Sequence, residues 1–143
     1  MKKNNAVAIV QARMKSTRLP KKVLMEVDGI PLLRYQIDRI KKSSLLKKIV
    51  VATSTEDSDD EIENFCKINK TEHFRGSEND VLSRYYECAK EFKADTIVRL
   101  TADCPLIDSS VIDLVLKTYL KNSYDFVATL LLQRDVLILR VWM

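Results

Sequence analysis

The chain has 143 residues, 46% of them apolar, with only 2 glycines and 3 prolines. That is the size of one domain, with enough apolar content for a core and too little Gly and Pro for a turn-dense all-β or fibrous chain. Net charge is +4 but uneven: residues 1–50 hold 13 Lys/Arg against three acids, a balance of +10, leaving −6 for the remainder.

No run approaches the ~18 apolar residues of a membrane span. The apolar stretch at Ala6–Val10 is too short for a signal peptide, and polar Gln11 and Arg13 follow at once. Cys66, Cys88 and Cys104 are odd in number and widely spaced, which predicts neither a disulfide framework nor a zinc site. A cytoplasmic protein with reduced thiols and no membrane partner is expected.

In chain order, Ala6–Gln11 (AVAIVQ) predicts a buried parallel strand. A polar loop follows from Ala12 to Lys22, with Pro20 inside it. Pro31 suits the first turn of a helix whose Leu33, Ile37 and Ile40 share one face. Lys48–Thr53 reads as the second strand. Ser58 or Asp57 can cap a helix over Asp59–Lys70, and its first-turn acids suit the positive helix end. Glu72–Arg75 predicts a short strand. Asp80–Phe92 is the clearest helix, with Val81, Tyr85, Cys88, Ala89 and Phe92 on one stripe. Thr96–Leu100 is a further strand. Asp108 or Ser109 caps a helix in which Val111, Leu114, Val115 and Thr118 align. Tyr124–Ala128 is the last regular strand candidate.

This alternation predicts an α/β, Rossmann-like fold: a mostly parallel sheet flanked by helices with right-handed crossovers. Ligands of such sheets sit beyond the carboxyl ends of the strands. The cationic cluster Arg13, Lys15, Arg18, Lys21 and Lys22 follows the first strand, and Asp103 follows the TIVRL strand, so both face the same edge. Cations and loop N–H groups hold a triphosphate, and a carboxylate at a strand end holds Mg²⁺ against its oxygens. The pair suits nucleotidyl transfer. On spacing alone, Asp103 suits a turn or a helix cap better than a metal. Glycine-rich phosphate motifs are absent. His73 has no partner at metal or triad spacing, Cys104 suits a small buried filler, and Tyr85 lies on the apolar stripe.

The loop Gln11-Ala12-Arg13-Met14-Lys15-Ser16-Thr17-Arg18-Leu19-Pro20-Lys21-Lys22 resembles the signature of the sugar cytidylyltransferases. That group contains the acylneuraminate and 3-deoxy-manno-octulosonate cytidylyltransferases. Val50–Ser54, Phe74–Tyr86 and Arg99–Asp108 look most like its spore coat polysaccharide biosynthesis protein F branch. The resemblance runs in order from residue 6 to 128. It implies a nucleotide-diphospho-sugar transferase type of fold lacking its C-terminal part. The implied reaction is CTP plus a sugar giving a CMP-sugar and pyrophosphate, with Mg²⁺ as cofactor, for surface or spore-coat polysaccharide. Arg13, Ser16, Arg18 and Lys22 match the family's triphosphate-binding positions, with Arg13 and Lys22 expected to act in catalysis. Ala12 matches the position whose backbone lies near the base. Arg75, Gly76 and Ser77 match the loop bordering the base, and Asp103 the metal-binding aspartate. The family usually has glycine where this chain has Lys15 and Lys21, and lysine there restricts the backbone while adding charge.

Residues 130–143 (LLLQRDVLILRVWM) are ten-fourteenths apolar and leave the family pattern. Permitted codons for Asp135–Met143, read one frame over, spell Arg-Thr-Tyr-Pro-Lys-Gly-Leu-Asp, which resembles the branch's continuation. Residues 1–129 are therefore expected to form the nucleotide-binding domain, and 130–143 an aberrant apolar tail from a frameshift that truncates and impairs the chain. A genuine apolar strand or an oligomer contact is the alternative. Self-association as a homodimer is expected. Competing functions are a glycosyltransferase of similar fold using a nucleotide-sugar and a non-catalytic dimerising fragment. A nucleic-acid partner is not expected, because residues 1–34 contain no aromatic side chain to stack on bases.

Overall fold

The computed structural model describes residues 5–129 and the backbone of 137–140. Strand β1 (Ala6–Gln11) is followed by the polar loop and a 3-10 turn at Lys22–Leu24. A two-stranded ribbon, β2 (Glu26–Val27) and β3 (Ile30–Pro31), leads into helix α1 (Leu32–Ile40). Then come β4 (Lys48–Ser54), a 3-10 turn at Asp57–Asp59, α2 (Asp60–Ile68), β5 (Glu72–Gly76) and α3 (Val81–Glu91). The chain continues through β6 (Thr96–Thr101), α4 (Ser109–Lys121), β7 (Phe126–Ala128) and β8 (Leu137–Arg140).

The main sheet runs in the order β5-β4-β1-β6-β8-β7. Its first four strands are mutually parallel, and β8 and β7 pair antiparallel. The expectation of a largely parallel α/β sheet is met. Strand β1 alternates its side chains between two cores. Ala6, Ala8 and Val10 pack under α1, α2 and α4, with Leu33, Ile37, Ile62, Ile112 and Leu116. Val7 and Ile9 pack under α3, with Tyr85, Cys88 and Ala89. With both faces covered, the strand reads as an unbroken apolar run rather than an alternating one. Burial pushes the thiols of Cys66 and Cys88 up to about 12, so both are inert fillers. Among the described residues no helix is long and apolar enough to cross a membrane.

Several local expectations are refined. In α1, Leu33, Ile37 and Ile40 are fully buried as expected, while Pro31 sits just outside the first turn at the cap. Helix α2 starts at Asp60, and no side chain caps it; Asp57 and Ser58 do not take that role. Asp80 caps α3 by accepting from the Ser83 N–H at 2.9 Å, and Asp108 caps α4 from the Ser110 N–H at 2.8 Å. The α4 stripe differs from the expected one. Leu114 is 64% exposed and Thr118 faces solvent, while Ile112, Val115, Leu116 and Tyr119 are buried. The β2–β3 ribbon was not expected: its strands are two residues each, too short to show a period. Of the apolar tail, 137–140 forms strand β8, and the rest lies outside the described residues.

Candidate functional site

The β1 ladder continues one residue beyond the strand. Ala12 N–H donates to the Ala52 carbonyl at 3.0 Å, and Gln11 carbonyl accepts from Ala102 N–H at 2.9 Å. The chain then leaves the sheet as a closed loop. Its neck is Met14, which is 3% exposed. Met14 N–H donates to Asp59 Oδ1 at 2.7 Å, and its carbonyl accepts from Lys21 N–H at 2.9 Å. Lys21 closes the ring at φ +61°, the left-handed region where the family pattern has glycine. Lys15, the other substituted position, is not among the positive-φ residues. Lysine thus replaces glycine at one site that uses glycine's backbone and at one that does not.

The five loop cations fall into two sets. Lys15 pairs with Glu56 at 3.4 Å and Glu78 at 3.7 Å, and Lys21 pairs with Glu61 at 3.0 Å. Glu56 foremost, and then Glu78, hold the Lys15 ammonium above its ordinary range. Arg13, Arg18 and Lys22 make no ion pair among the described residues. Those three line one open cleft of about 550 Å³ together with Lys15 from the paired set, Ser16, Arg99, Thr101 and Asp103. Ser16 also orders the loop, its Oγ accepting from Leu19 N–H at 3.4 Å.

Asp103 stands at the mouth of β6. The Thr101 hydroxyl holds its carboxyl below the ordinary carboxylate range, helped by its own backbone N–H, the Cys104 thiol at 3.5 Å and the charge of Lys22. Helix α1 braces this corner from beneath. Gln36 Nε2 donates to the Thr101 carbonyl at 2.7 Å, and Arg39 Nε donates to the Ile107 carbonyl at 2.6 Å. Arg99 lies 5.5 Å from the centre of the Tyr85 ring, within cation–π range. Arg99 and Thr101 were not singled out from sequence, although Arg99 is the one charged residue in the strand TIVRLT.

The structure therefore brings Arg13, Ser16, Arg18, Lys22 and Asp103 around one cleft, while Ala12 is buried and is not among the lining residues. It places Arg75, Gly76 and Ser77 elsewhere, at the end of β5. Arg75 spreads over four acceptors: the Ser54 carbonyl at 2.8 Å, the Glu56 carbonyl at 2.8 Å, and Asp60 and Glu63, each at 2.6 Å. Gly76 passes so close to its neighbours that a Cβ there would lie 2.9 Å from both Arg84 Cγ and a Phe74 ring carbon. Ser77 Oγ accepts from Asp80 N–H at 3.0 Å, and its carbonyl accepts from Arg84 Nη1 at 2.7 Å.

Glu63 is a further member of the Arg75 network, touching Lys67 at 2.7 Å and His73 at 3.5 Å as well. Lys67 and then Arg75 hold its carboxyl down to about 2, from an ordinary 4.5. A depressed carboxyl adds stability above its unfolded value and loses it as pH falls through the folded one. Urea midpoints should therefore fall between about pH 4.5 and about pH 2, and Glu63→Gln should flatten that acid limb while leaving other carboxylates to act.

A family profile described as cytidylyltransferase matches residues 7–135, most of the chain. The chain belongs to the cytidylyltransferase family. The match reaches Asp135, beyond Thr129. The spore coat polysaccharide biosynthesis protein SpsF of Bacillus subtilis is 35% identical over 127 residues, covering 86% of this chain and 53% of that protein. A 3-deoxy-manno-octulosonate cytidylyltransferase of Chloroherpeton thalassium is 35% identical over 127 residues, covering 88% of this chain and 50% of that protein. The solved structure of a cytidylyltransferase from Leptospira borgpetersenii superposes with a TM-score of 0.87 at 38% identity, covering 96% of this chain and 60% of that one. The chain thus spans about half the length of the curated relatives it matches. Within this cytidylyltransferase-family chain, the cleft is built from the β1 loop and the β6 corner, both inside the matched region.

Proposed function

We propose that this chain binds CTP with Mg²⁺ in the loop cleft, as the nucleotide half of an enzyme that transfers CMP to a sugar. One observation carries the reading: four cations without ion-pair partners among the described residues, Arg13, Arg18, Lys22 and Arg99, line one cleft with a single carboxylate, Asp103. The names of the relatives, a spore coat polysaccharide protein and sugar cytidylyltransferases, support a sugar acceptor and a role in surface or spore-coat polysaccharide. Asp57-Ser58-Asp59 has the Asp-x-Asp spacing of nucleotide-sugar-using glycosyltransferases, but Asp59 is buried, 2% exposed, and lines no part of the cleft, so that reading gains nothing.

The donor set fits a hard divalent cation. Asp103 is the one carboxylate among the residues that line the cleft, so it would hold the ion together with phosphate oxygens and water. Mg²⁺ commonly binds in that way, through one or two carboxylates plus the substrate's phosphates. When bound, the ion would neutralise phosphate charge and orient the triphosphate. The chain's own residues do the rest. Arg13 and Arg18 hold phosphate oxygens, and Ser16 adds a hydroxyl donor. Lys22, near enough to bias Asp103, would stabilise the charge that accumulates as the bond between the α-phosphorus and the bridging oxygen breaks. In the transfer, the sugar hydroxyl oxygen bonds the α-phosphorus, pyrophosphate leaves with the bridging oxygen, and the hydroxyl proton passes to solvent.

A thermal-shift panel with CTP, UTP, GTP and ATP, each with and without Mg²⁺, tests this. A ligand at 100 times its dissociation constant adds about 2.7 kcal/mol of stability. A rise selective for CTP and dependent on Mg²⁺ is expected. No rise with any nucleotide overturns the reading.

A further inference from the structure

We infer that Asp59 is a positioning residue that sets the shape of the phosphate loop before any nucleotide arrives; the inference rests on the loop cleft being the nucleotide site. Asp59 lies at the end of the 3-10 turn that precedes α2, and it is 2% exposed. Among the described residues its carboxylate makes no ion pair, although the buried Arg84 guanidinium lies near enough to feel its charge; the hydrogen bonds it accepts come from donors on the neighbouring chain segments. Oδ1 accepts from Met14 N–H at 2.7 Å. Oδ2 accepts from Ser54 N–H at 3.2 Å and from the Ser54 hydroxyl. One buried carboxylate thus ties the neck of the loop to the last residue of β4.

The consequence follows from what Met14 does. Its N–H is held by Asp59 and its carbonyl by Lys21, so both backbone groups of this one residue are committed to closing the ring. Arg13 is its neighbour on one side, and Ser16 and Arg18 lie within the ring. Fixing Met14 therefore fixes where those side chains start, and the ordering cost is met in folding rather than in binding. Bonds to an ionised acceptor are stronger than neutral ones, and buried N–H groups left without a partner are costly. The Lys15 and Lys21 ion pairs tether the same loop from outside, but the two lysine side chains are more than half exposed and salt screens them. Asp59 is the tether that salt does not reach. It lines neither the cleft nor the space where a nucleotide would lie, so its action is through Met14.

The test compares Asp59→Ala, Asp59→Asn and Ser54→Ala with the parent chain in three measurements. These are trypsin cleavage at Arg13, Lys15 and Arg18 without nucleotide, CTP·Mg²⁺ affinity, and the melting temperature. In Asp59→Ala, loop cleavage should rise and CTP affinity should fall, each about tenfold or more, the factor by which one such lost bond shifts an equilibrium. Asp59→Asn keeps an acceptor for Met14 N–H and should lie between. Ser54→Ala spares the Met14 bond and should stay near the parent, and Asp59→Asn keeps the test open if the alanine variant does not fold. Loop cleavage and affinity unchanged in the Asp59 variants overturns the inference, as does a fall in melting temperature with the loop no more cleavable than the rest of the chain. If the parent binds no nucleotide yet Asp59→Asn exposes the loop to trypsin, the tether stands and the nucleotide assignment fails.

Discussion

Asp103→Asn should abolish the gain in CTP affinity that Mg²⁺ provides, while leaving metal-free CTP binding and the fold close to the parent. The side chain is exposed at the end of β6, and asparagine preserves its shape and its bond from Thr101, so little stability is at stake. What disappears is the charge. Thr101, the Asp103 backbone and Lys22 all favour the ionised carboxylate, which keeps it ready for a cation at neutral pH. Asp103 is the one carboxylate among the residues lining the cleft, so no other side chain there would take over its hold on a metal. Loss of the carboxylate should weaken metal-dependent CTP binding by about 100-fold, the upper range for disturbing groups around a metal. Isothermal titration with CTP, with and without Mg²⁺, reads both terms. An Asp103→Asn protein that retains the full Mg²⁺ increment would move the metal site away from β6.

Arg75→Ala should be the most destabilising surface-proximal substitution, at about 2–3 kcal/mol, because hydrogen bonds to charged groups are worth more than neutral ones and their loss strands partners. Its guanidinium joins the end of β4, the start of α2 and β5 through four acceptors, and its side chain is only 21% exposed. Arg75→Lys should recover little, since an ammonium cannot span carbonyls and carboxylates in the fixed fork of a guanidinium. The comparison with Asp103→Asn separates two kinds of role. Urea unfolding without nucleotide should show the loss for Arg75→Ala and none for Asp103→Asn. If Arg75→Ala instead keeps its stability and loses selectivity for CTP over UTP, Arg75 contacts the base as the family pattern implies.

Much of this architecture is legible in the chain. AVAIVQ, KIVVAT and TIVRL are buried strands because both sheet faces are covered, and that leaves runs too apolar for anything else at their length. The loop cations and Asp103 could be placed on one edge by topology alone, without any contact being known. The limits are equally physical. In α4 the apolar residues are numerous enough that two stripes fit, and only packing chooses Ile112, Leu116 and Tyr119 over Leu114. Direction is invisible in a three-residue strand, so β7 showed no sign of pairing antiparallel. The four acceptors of Arg75 lie 12 to 21 residues away in sequence, so its bracing of β4 and α2 is invisible in the chain. Asp59 reads as one more acid at a helix start, because its partner Met14 lies 45 residues away in sequence. The left-handed turn at Lys21 was masked by a residue that rarely adopts it.

The strand order has a consequence for how the protein is made. Strand β1 sits between β4 and β6, with Val7 opposite Lys48 on one side and Ala6 opposite Thr96 on the other. A ribosome delivers the AVAIVQ segment first, and its second flank is covered only when the TIVRL segment emerges. Closing that long a span costs chain entropy before any contact rewards it. For that interval the nascent chain displays an apolar ribbon with an unpaired edge, the kind of surface that chaperones engage and that seeds aggregation at high expression.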